Sequence, residues 1–358
     1  MLSLYLSHDI TRYQNSKKRK KVAGAKHKTN LSDVARAAGV SRGAAGKVLN
    51  GCSGSIRVGD ETRRRIVEVA AKLGYTRNMA AAMLAGKKSP LVGVMIDSQS
   101  GFRRRQLLTE LEAAATKRNL RLLVSYTHDN IAQMRQNRSE MESFGVRGII
   151  CLSHDYYAYK EEVTELFEGN CGNVVFMEEP FFPGAAFIRT SDERAHVELF
   201  AAMKKAGKRR IALIRSGLES YSERERERCF RNALKVNGLE LLPGFIRELS
   251  VQRVFTDEAE KALEGLFSAS GPDAVFADDA VLHLALRRSL LQAPRKIQEN
   301  IFFYGGNGNP MFKLLSPPAN TLDPRYGETA EALLDALEDL GTPGCRAVIE
   351  SKFTSLYP

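Results

Sequence analysis

The chain has 358 residues, of which 43% are hydrophobic and 27% are charged. This length allows two or three domains, and the composition is typical of a soluble globular protein, with no segment apolar enough to span a membrane. The first 88 residues hold 19 Lys and Arg against 5 Asp and Glu, whereas the rest of the chain holds 34 against 37. A basic head on a nearly neutral body indicates a polyanionic partner.

The cysteines and the N-terminus narrow the class of protein further. The five cysteines stand singly, without a C-x-x-C pair or histidines at metal-ligand spacing, which argues against a zinc site and a disulfide framework. Residues 1–21 end in "KKRKK" and lack the apolar run of a signal peptide. We therefore expect a cytoplasmic, nucleoid-associated protein that needs neither cofactor nor metal.

The first 76 residues divide into an arm and a small helical module. Residues 1–28 show no periodicity, and we predict a disordered basic arm. In 29–76, Asn30 or Ser32 can cap a first helix, Gly39 permits a turn, and Ser41 can cap a second helix. A third helix begins near Asp60, with apolar residues at helical spacing, and ends at Gly74. The spacing predicts that the third helix buries these side chains: Ile66, Val67, Ala70 and Leu73.

Residues 77–89 form a linker whose helix is too short to be stable alone. From 90 to 358, short apolar runs rich in β-branched residues alternate with amphipathic helices. The predicted strands are "LVGVMI", "LRLLVSY", "RGIICL", "NVVFM", "RRIALIR", "GPDAVFAD" and "NIFFYGG". This alternation predicts doubly wound α/β subdomains with parallel sheets, and the length suggests two of them. A ligand would bind at the carboxyl ends of the strands.

The ordered motifs "LSDVARAAGVS", "KVLNG" and "VGDETRRRIVEVAAKLGYTRNMAAAMLAGKKSPLVGVMI" resemble the LacI/GalR family of bacterial transcription regulators. The likeness is strong over 30–96, and over the rest it extends to element order and a few motifs. It implies an all-α three-helix helix-turn-helix head and a two-lobed core like that of periplasmic binding proteins. It also implies a homodimer or tetramer that binds double-stranded operator DNA.

The resemblance makes residues 41–50 the recognition helix, which lies in the major groove. Arg42 would read bases, since a guanidinium can bond guanine O6 and N7 together, and Ala44 could touch a thymine methyl group. Ser41, Lys47 and Asn50 would hold phosphates. A solvated charge is the alternative for Arg42.

Two glycines inside this helix need a reason, because each costs about 1 kcal/mol relative to alanine. Where the family usually carries Thr-Val-Ser-Arg, this chain has Ala44-Ala45-Gly46-Lys47, and Gly43 replaces a frequent polar residue. The glycines would let the duplex approach closely, leaving readout to Arg42, DNA shape and the hinge. Alternatively, they mark only a weakly stable head.

In the hinge, the family inserts a leucine from each of two paired helices into the minor groove. That leucine is Leu84 here, with Asn78 and Ala81 on the same segment. Burial in an ordinary core is the alternative for Leu84.

In the core, the resemblance implies a cleft for a small-molecule effector, such as a sugar or a related metabolite. The matching positions can hydrogen-bond hydroxyl groups or stack on a ring: Asp97, Phe102, Arg226, Asp279 and Asn307. The chain departs from the family in having Asp278-Asp279 for Asn-Asp, Gly305-Gly306-Asn307-Gly308 for the Gly-aromatic-Asp-Asp motif, and Cys229 for a glycine. Asp279 could instead be a helix cap, and Arg226 part of a solvated charge ladder.

Two other classes remain as alternatives. A solute-binding protein would explain the core but requires an export signal. An enzyme on a doubly wound sheet would need a phosphate-binding G-x-G-x-x-G or a nucleophile elbow, and "YGGNGNP" meets Pro310 instead of opening a helix. We therefore predict a DNA-binding regulator, in the first place a repressor of a pseudo-palindromic operator, without catalytic activity.

Overall fold

The computed structural model describes residues 29–50, 56–76, 83, 88–98, 101–128, 130–154, 157–217, 220–316, 318–340 and 342–354. Within this part of the chain, contacts separate a unit ending at Lys88 from a unit beginning at Ser89. The predicted arm at 1–28 and most of the linker at 77–87 lie outside the described residues. No helix among the described residues is long and apolar enough to cross a membrane.

The first unit contains three helices. They are α1 (Leu31–Ala37), α2 (Arg42–Asn50) and α3 (Asp60–Lys72). Asn30 caps α1, because its side chain accepts from the backbone N–H of Asp33 while the Asp33 carboxylate accepts from the N–H of Asn30. Gly39 and Gly74 end α1 and α3 with positive φ angles of 64° and 62°.

The core of this unit consists of small and branched side chains: Val34, Ala35, Ala38, Ala45, Ile66 and Ala70. The prediction for α3 holds for Ile66 and Ala70 but is wrong for Val67 and Leu73, which are 51% and 40% exposed. Val67 directly follows buried Ile66 and therefore points about 100° away from it around the helix. Four of these six buried side chains are alanines, which allows the three short helices to pack closely.

The second unit has two lobes, each built on a parallel sheet. The N-lobe sheet has the order β11-β5-β4-β3-β1-β2, and the C-lobe sheet has the order β10-β9-β8-β6-β7. The N-lobe strands are β1 (Leu91–Ile96), β2 (Arg121–Tyr126), β3 (Ile149–Cys151), β4 (Val174–Met177), β5 (Ala186–Ser191) and β11 (Gly344–Glu350). The C-lobe strands are β6 (Ile211–Arg215), β7 (Ile246–Glu248), β8 (Ala274–Ala277), β9 (Phe302–Gly305) and β10 (Ala319–Thr321).

Helices cover both faces of each sheet, as expected for parallel strands. The N-lobe helices are α4 (Phe102–Lys117), α5 (Ile131–Ser143), α6 (Lys160–Phe167) and α12 (Tyr326–Glu338). The C-lobe helices are α7 (Glu193–Lys205), α8 (Tyr221–Val236), α9 (Asp257–Leu263), α10 (Ala280–Leu290) and α11 (Arg295–Gln298). Each sheet therefore separates two buried apolar clusters, and the doubly wound architecture expected from the sequence is confirmed.

The chain passes between the lobes at three neighbouring places, after β5, after β10 and after β11. Asp192 follows β5, and its carboxylate accepts from the hydroxyl of Ser351. Asp323 and Lys352 pair as a short antiparallel bridge, so the second and third passages are also joined. Hydrogen bonds thus tie all three passages together at one edge of the cleft.

Candidate DNA-binding and effector-binding sites

The surface at the start of α2 is open and basic. Ser41 caps the helix, because its Oγ accepts from the N–H of Ala44 at 3.1 Å. Arg42 and Gly43 follow on the exposed side, and Lys47 and Asn50 are half-buried further along. Arg42 is thus exposed at the N-terminal end of α2, the end of a recognition helix that meets base edges.

The small residues of α2 serve the head itself. Ala44 is 9% exposed, so its methyl group points inward, and we withdraw it from the proposed contacts with thymine. Gly46 is buried as well, and Gly43 lies against Ile56. Close approach of a duplex at exposed Gly43 stays a prediction, whereas burial of Gly46 gives that glycine a role in packing of the head. Asn78, Ala81 and Leu84 lie outside the described residues, so their role stays a prediction.

A cavity of about 260 Å³ opens between the two lobes. Phe102 reaches it from the N-terminus of α4, and three of the other predicted residues line it from the C-lobe: Arg226, Asp279 and Asn307. Asp97 does not line it, because this residue is 1% exposed at the end of β1. We therefore withdraw Asp97 from the proposed ligand contacts.

Two of the cavity residues are already engaged in holding the C-lobe. Asp279 caps α10, its Oδ1 accepting from the N–H of Val281 at 2.7 Å. The Asn307 amide donates to the carbonyl oxygen of Asp278, and its Oδ1 accepts from the N–H of Asn309. Burial raises the pKa of Asp279 above its ordinary value.

Arg103, which the sequence analysis did not select, joins the lobes inside the cleft. It is the second residue of N-lobe helix α4, and its Nη2 lies 2.7 Å from Asp192 Oδ2 at the first passage between lobes. The same guanidinium reaches the C-lobe, with Nε 3.2 Å from Asp278 Oδ2 and Nη2 2.6 Å from the carbonyl oxygen of Gly306. Burial disfavours its charge, but Asp192 and Asp278 raise the pKa of Arg103 well above its ordinary value.

Arg226 is the second cation on Asp278. Its Nη2 lies 2.9 Å from Asp278 Oδ2, and its Nη1 is 2.5 Å from Glu223 Oε1. Burial would raise the pKa of Asp278, but Arg103 and Arg226 lower it below the ordinary value. Asp278 is therefore a carboxylate held between two guanidinium groups. The side chains of Arg226 and Glu223 are each 11% exposed, so the solvated charge ladder suggested by "ERERER" is excluded at this end of α8.

Two further contacts join the N-lobe to the C-lobe. The Arg224 guanidinium lies 3.8 Å from the centre of the Tyr157 ring, a cation–π contact between α8 and the N-lobe. The hydroxyl of Tyr326, at the start of α12, donates to the carbonyl oxygen of Asn307 at 2.6 Å. A smaller cavity of about 80 Å³ beside Asp192 is lined by apolar side chains as well as charged ones: Leu107, Met177, Cys229 and Pro324 are the apolar members.

Metal binding finds no support in the described ranges, where no group of three or more His, Cys, Asp or Glu could hold a metal ion. Among the described residues, no disulfide joins the cysteines Cys151, Cys171, Cys229 and Cys345. Burial raises the pKa of Cys229 to about 12, so this thiol beside the cleft is unreactive at neutral pH.

Comparison with known proteins matches the two units separately. Residues 30–78 match the family model of bacterial regulatory proteins of the lacI family, and residues 200–352 match a periplasmic binding protein-like domain. The chain belongs to the LacI family of bacterial regulatory proteins. It is thus a DNA-binding transcriptional regulator with a helix-turn-helix region and an α/β core of parallel sheets.

Curated LacI-family relatives align along most of the chain. The HTH-type transcriptional regulator DegA of Bacillus subtilis is 25% identical and covers 82% of this chain and 86% of its own length. The ribose operon repressor of B. subtilis is 28% identical and covers 84% of this chain and 89% of its own length. Both are named as regulators of transcription.

Solved structures share the fold of this LacI-family chain. The lac repressor dimer bound to operator and the anti-inducer ONPF has a TM-score of 0.73 at 20% identity, covering 90% of this chain and 97% of its own. The complex of the regulator CelR with cellobiose has a TM-score of 0.60 at 21% identity, covering 91% and 98%. At these identities the likeness establishes the architecture alone.

Proposed function

We propose that this LacI-family regulator is a repressor that binds a pseudo-palindromic operator as a dimer and changes its DNA affinity when a small molecule enters the cleft. The observation that carries this proposal is the cavity between two lobes in a chain that also has a helix-turn-helix region. Relatives named as ribose operon repressors support the direction of control.

In the head, Arg42 would contact bases directly. The phosphate contacts would come from Ser41, Lys47 and Asn50. Arg42 is exposed at the N-terminal end of α2, the end of a recognition helix that meets base edges. Gly43 lies beside it and leaves room for the DNA backbone. Leu84, with Asn78 and Ala81 on the same segment, is proposed to enter the minor groove at the operator centre.

In the core, the ligand would contact four side chains that line the cavity: Phe102, Arg103, Arg226 and Asp279. Asn307 would line the cavity wall beside them. Arg103 contacts both the C-lobe and the passage between lobes, so a ligand that changes its partners would alter the angle between the lobes. Such a change at one site that biases another is the physical content of allostery.

The dimer is proposed to form through the core. Edge strand β2 exposes Val124 and Tyr126 at 36% and 48%. In the C-lobe, Leu284 and Leu291 are exposed at 46% and 71%, and the turn Pro310–Leu314 exposes Met311 and Leu314 at 49% and 85%. Exposed apolar side chains on an edge strand of one lobe, and on a helix and a turn of the other, are candidates for burial against a second copy.

The test is selection of bound duplexes from a random-sequence pool, followed by titration of the selected duplex. We expect a sequence with two related half-sites, and weaker binding by Leu84→Ala than by the adjacent control Met83→Ala. A pool that shows no enrichment at moderate ionic strength would refute specific DNA binding. Equal affinities of the two variants would remove the hinge from the proposal.

A further inference from the structure

The geometry around Asp278 is that of an occupied anion site. Its Oδ2 lies 3.2 Å from Arg103 Nε and 2.9 Å from Arg226 Nη2, while its Oδ1 accepts from the N–H of Gly306 at 3.0 Å. Two guanidinium groups and a backbone N–H around one carboxylate form the arrangement by which proteins bind carboxylates and phosphates. In this protein, the anion in the site is the protein's own Asp278 carboxylate.

The two arginines also line the ligand cavity together with Asp278, so the site opens to the space in which a ligand would bind. The family pattern has a neutral asparagine where this chain has Asp278, so the internal carboxylate is a particular feature of this cleft. Arg103 is the N-lobe cation that reaches this carboxylate.

Two other carboxylates near the cavities, those of Glu225 and Glu227, pair with different cations. Glu227 Oε2 lies 2.9 Å from Arg215 Nη1, and Glu225 Oε1 lies 2.7 Å from Arg228 Nη2. Asp192 contacts Arg103 and Glu223 contacts Arg226, whereas Asp278 contacts both arginines and is therefore the carboxylate whose place another anion would take.

We propose that the effector carries a carboxylate or phosphate group that replaces the Asp278 carboxylate between Arg103 and Arg226. This inference rests on the proposed control of DNA binding by a ligand in the cleft and names the ligand's chemical class. Arg103 starts N-lobe helix α4, and Asp278 directly follows C-lobe strand β8. The exchange therefore removes a direct ion pair between the lobes, which allows their angle to change.

Asp278→Asn is the informative variant, because it removes the internal charge while preserving the shape of the side chain. Both arginines keep another carboxylate in this variant, Asp192 for Arg103 and Glu223 for Arg226. The variant is therefore expected to fold. Asp273→Asn is the matched control, since it removes a carboxylate at the opposite end of strand β8, outside the cavity, where Asp273 accepts from the backbone N–H groups of Arg209 and Arg210.

The experiment measures binding of inorganic phosphate and of acetate to the full-length protein by calorimetry at constant ionic strength. The basic head is present in every variant, so its own anion binding cancels in the comparison. We expect Asp278→Asn to bind phosphate, acetate or both at least tenfold more tightly than wild type, and Asp273→Asn to resemble wild type. Preference for phosphate or for acetate distinguishes the two sources of the anionic group.

A third variant tests whether the gain in anion affinity depends on Arg103. In Asp278→Asn combined with Arg103→Gln, we expect the additional affinity to disappear. Affinities within twofold of wild type in Asp278→Asn, or a gain that persists in the double variant, would overturn the proposal. No DNA is present in this experiment, so failure here is distinct from failure of the duplex selection, which tests regulation itself.

Discussion

The Cδ1 atom of Ile56 lies 2.9 Å from the position that a β-carbon on Gly43 would occupy. Gly43 therefore makes room for a side chain that follows the recognition helix in the sequence. Ile56 is itself 42% exposed, so its end can move aside. A small movement of the Ile56 side chain would therefore make room for a β-carbon at position 43.

Gly43→Ala is accordingly expected to stabilise the head by somewhat less than 1 kcal/mol, because the helical gain of about 1 kcal/mol exceeds the cost of moving a flexible side-chain end. Gly39→Ala is the contrasting variant, since the φ angle of 64° strains any residue with a β-carbon. Thermal unfolding of the head transition should order the proteins as Gly43→Ala, wild type, Gly39→Ala. A destabilised Gly43→Ala would mean that Ile56 is held rigidly.

Arg42→Ala should weaken binding to the selected duplex by about 1 to 3 kcal/mol and leave binding to random DNA nearly unchanged. The reason is that a guanidinium on a guanine edge contributes to one sequence only. Lys47→Ala, which removes a proposed phosphate contact, should weaken binding to both duplexes alike and reduce the salt dependence. Fluorescence anisotropy at two salt concentrations measures both effects. Equal losses on both duplexes for Arg42→Ala would assign this residue to the phosphates.

Asp279→Ala should cost about 1 kcal/mol, because it removes the cap of α10, whereas Asp279→Asn keeps an acceptor for the Val281 N–H. Burial raises the pKa of Asp279, so its contribution to stability is present below the ordinary pKa and is lost as pH rises through the raised value. Urea unfolding should therefore favour Asp279→Asn over wild type more at pH 8 than at pH 4. A difference that does not depend on pH would show that the carboxylate is well solvated.

His283 should make the C-lobe sensitive to acid. Its Nε2 lies 2.8 Å from the carbonyl oxygen of Ala277 and therefore donates, so its Nδ1 accepts from Arg287 at 3.0 Å as a neutral ring. Burial first, and then the charge of Arg287, lower the pKa of His283 to about 3. Stability from this residue is present above the unfolded pKa of about 6.5 and is lost as pH falls toward the folded value.

Between pH 7.5 and 5.0, wild type should lose about 2 kcal/mol more than His283→Gln, since only the unfolded wild type gains the proton at this position. Urea unfolding at both pH values supplies the comparison. Parallel losses in the two proteins would place the acid sensitivity elsewhere, for example at buried His196, whose pKa burial also lowers.

Leu314→Asp should convert the proposed dimer to a monomer, because Leu314 is 85% exposed in the turn before edge strand β10 and a carboxylate there could not be covered by a second copy. Val236→Asp is the control, with a 59% exposed apolar residue at the end of α8. Light scattering after gel filtration gives the molar mass of each variant. An unchanged mass for Leu314→Asp would move the interface away from this turn.

Local patterns predicted most of the elements but few of the contacts in the cleft. Strand and helix periodicity identified β1 to β4, β6, β8 and β9, because each is a continuous apolar run. It assigned no helix at Tyr326–Glu338 and no strand at Gly344–Glu350, where the chain returns to the N-lobe. Arg103 was overlooked for a similar reason, since its partner Asp278 is 175 residues away and no local spacing records that distance.

The return of the chain to the N-lobe also affects the order in which the two lobes can fold during synthesis. Residues 193–322 hold every C-lobe strand and helix that the structure describes, so all of them are made while the ribosome still holds the last part of the chain, and only Phe353 joins the C-lobe core afterwards. The N-lobe must wait, because β11 pairs with β5 and the apolar side of α12 belongs to its core. A nascent chain stopped before Tyr326 would therefore present a finished second lobe behind an unfinished first one, with apolar surface open to chaperones.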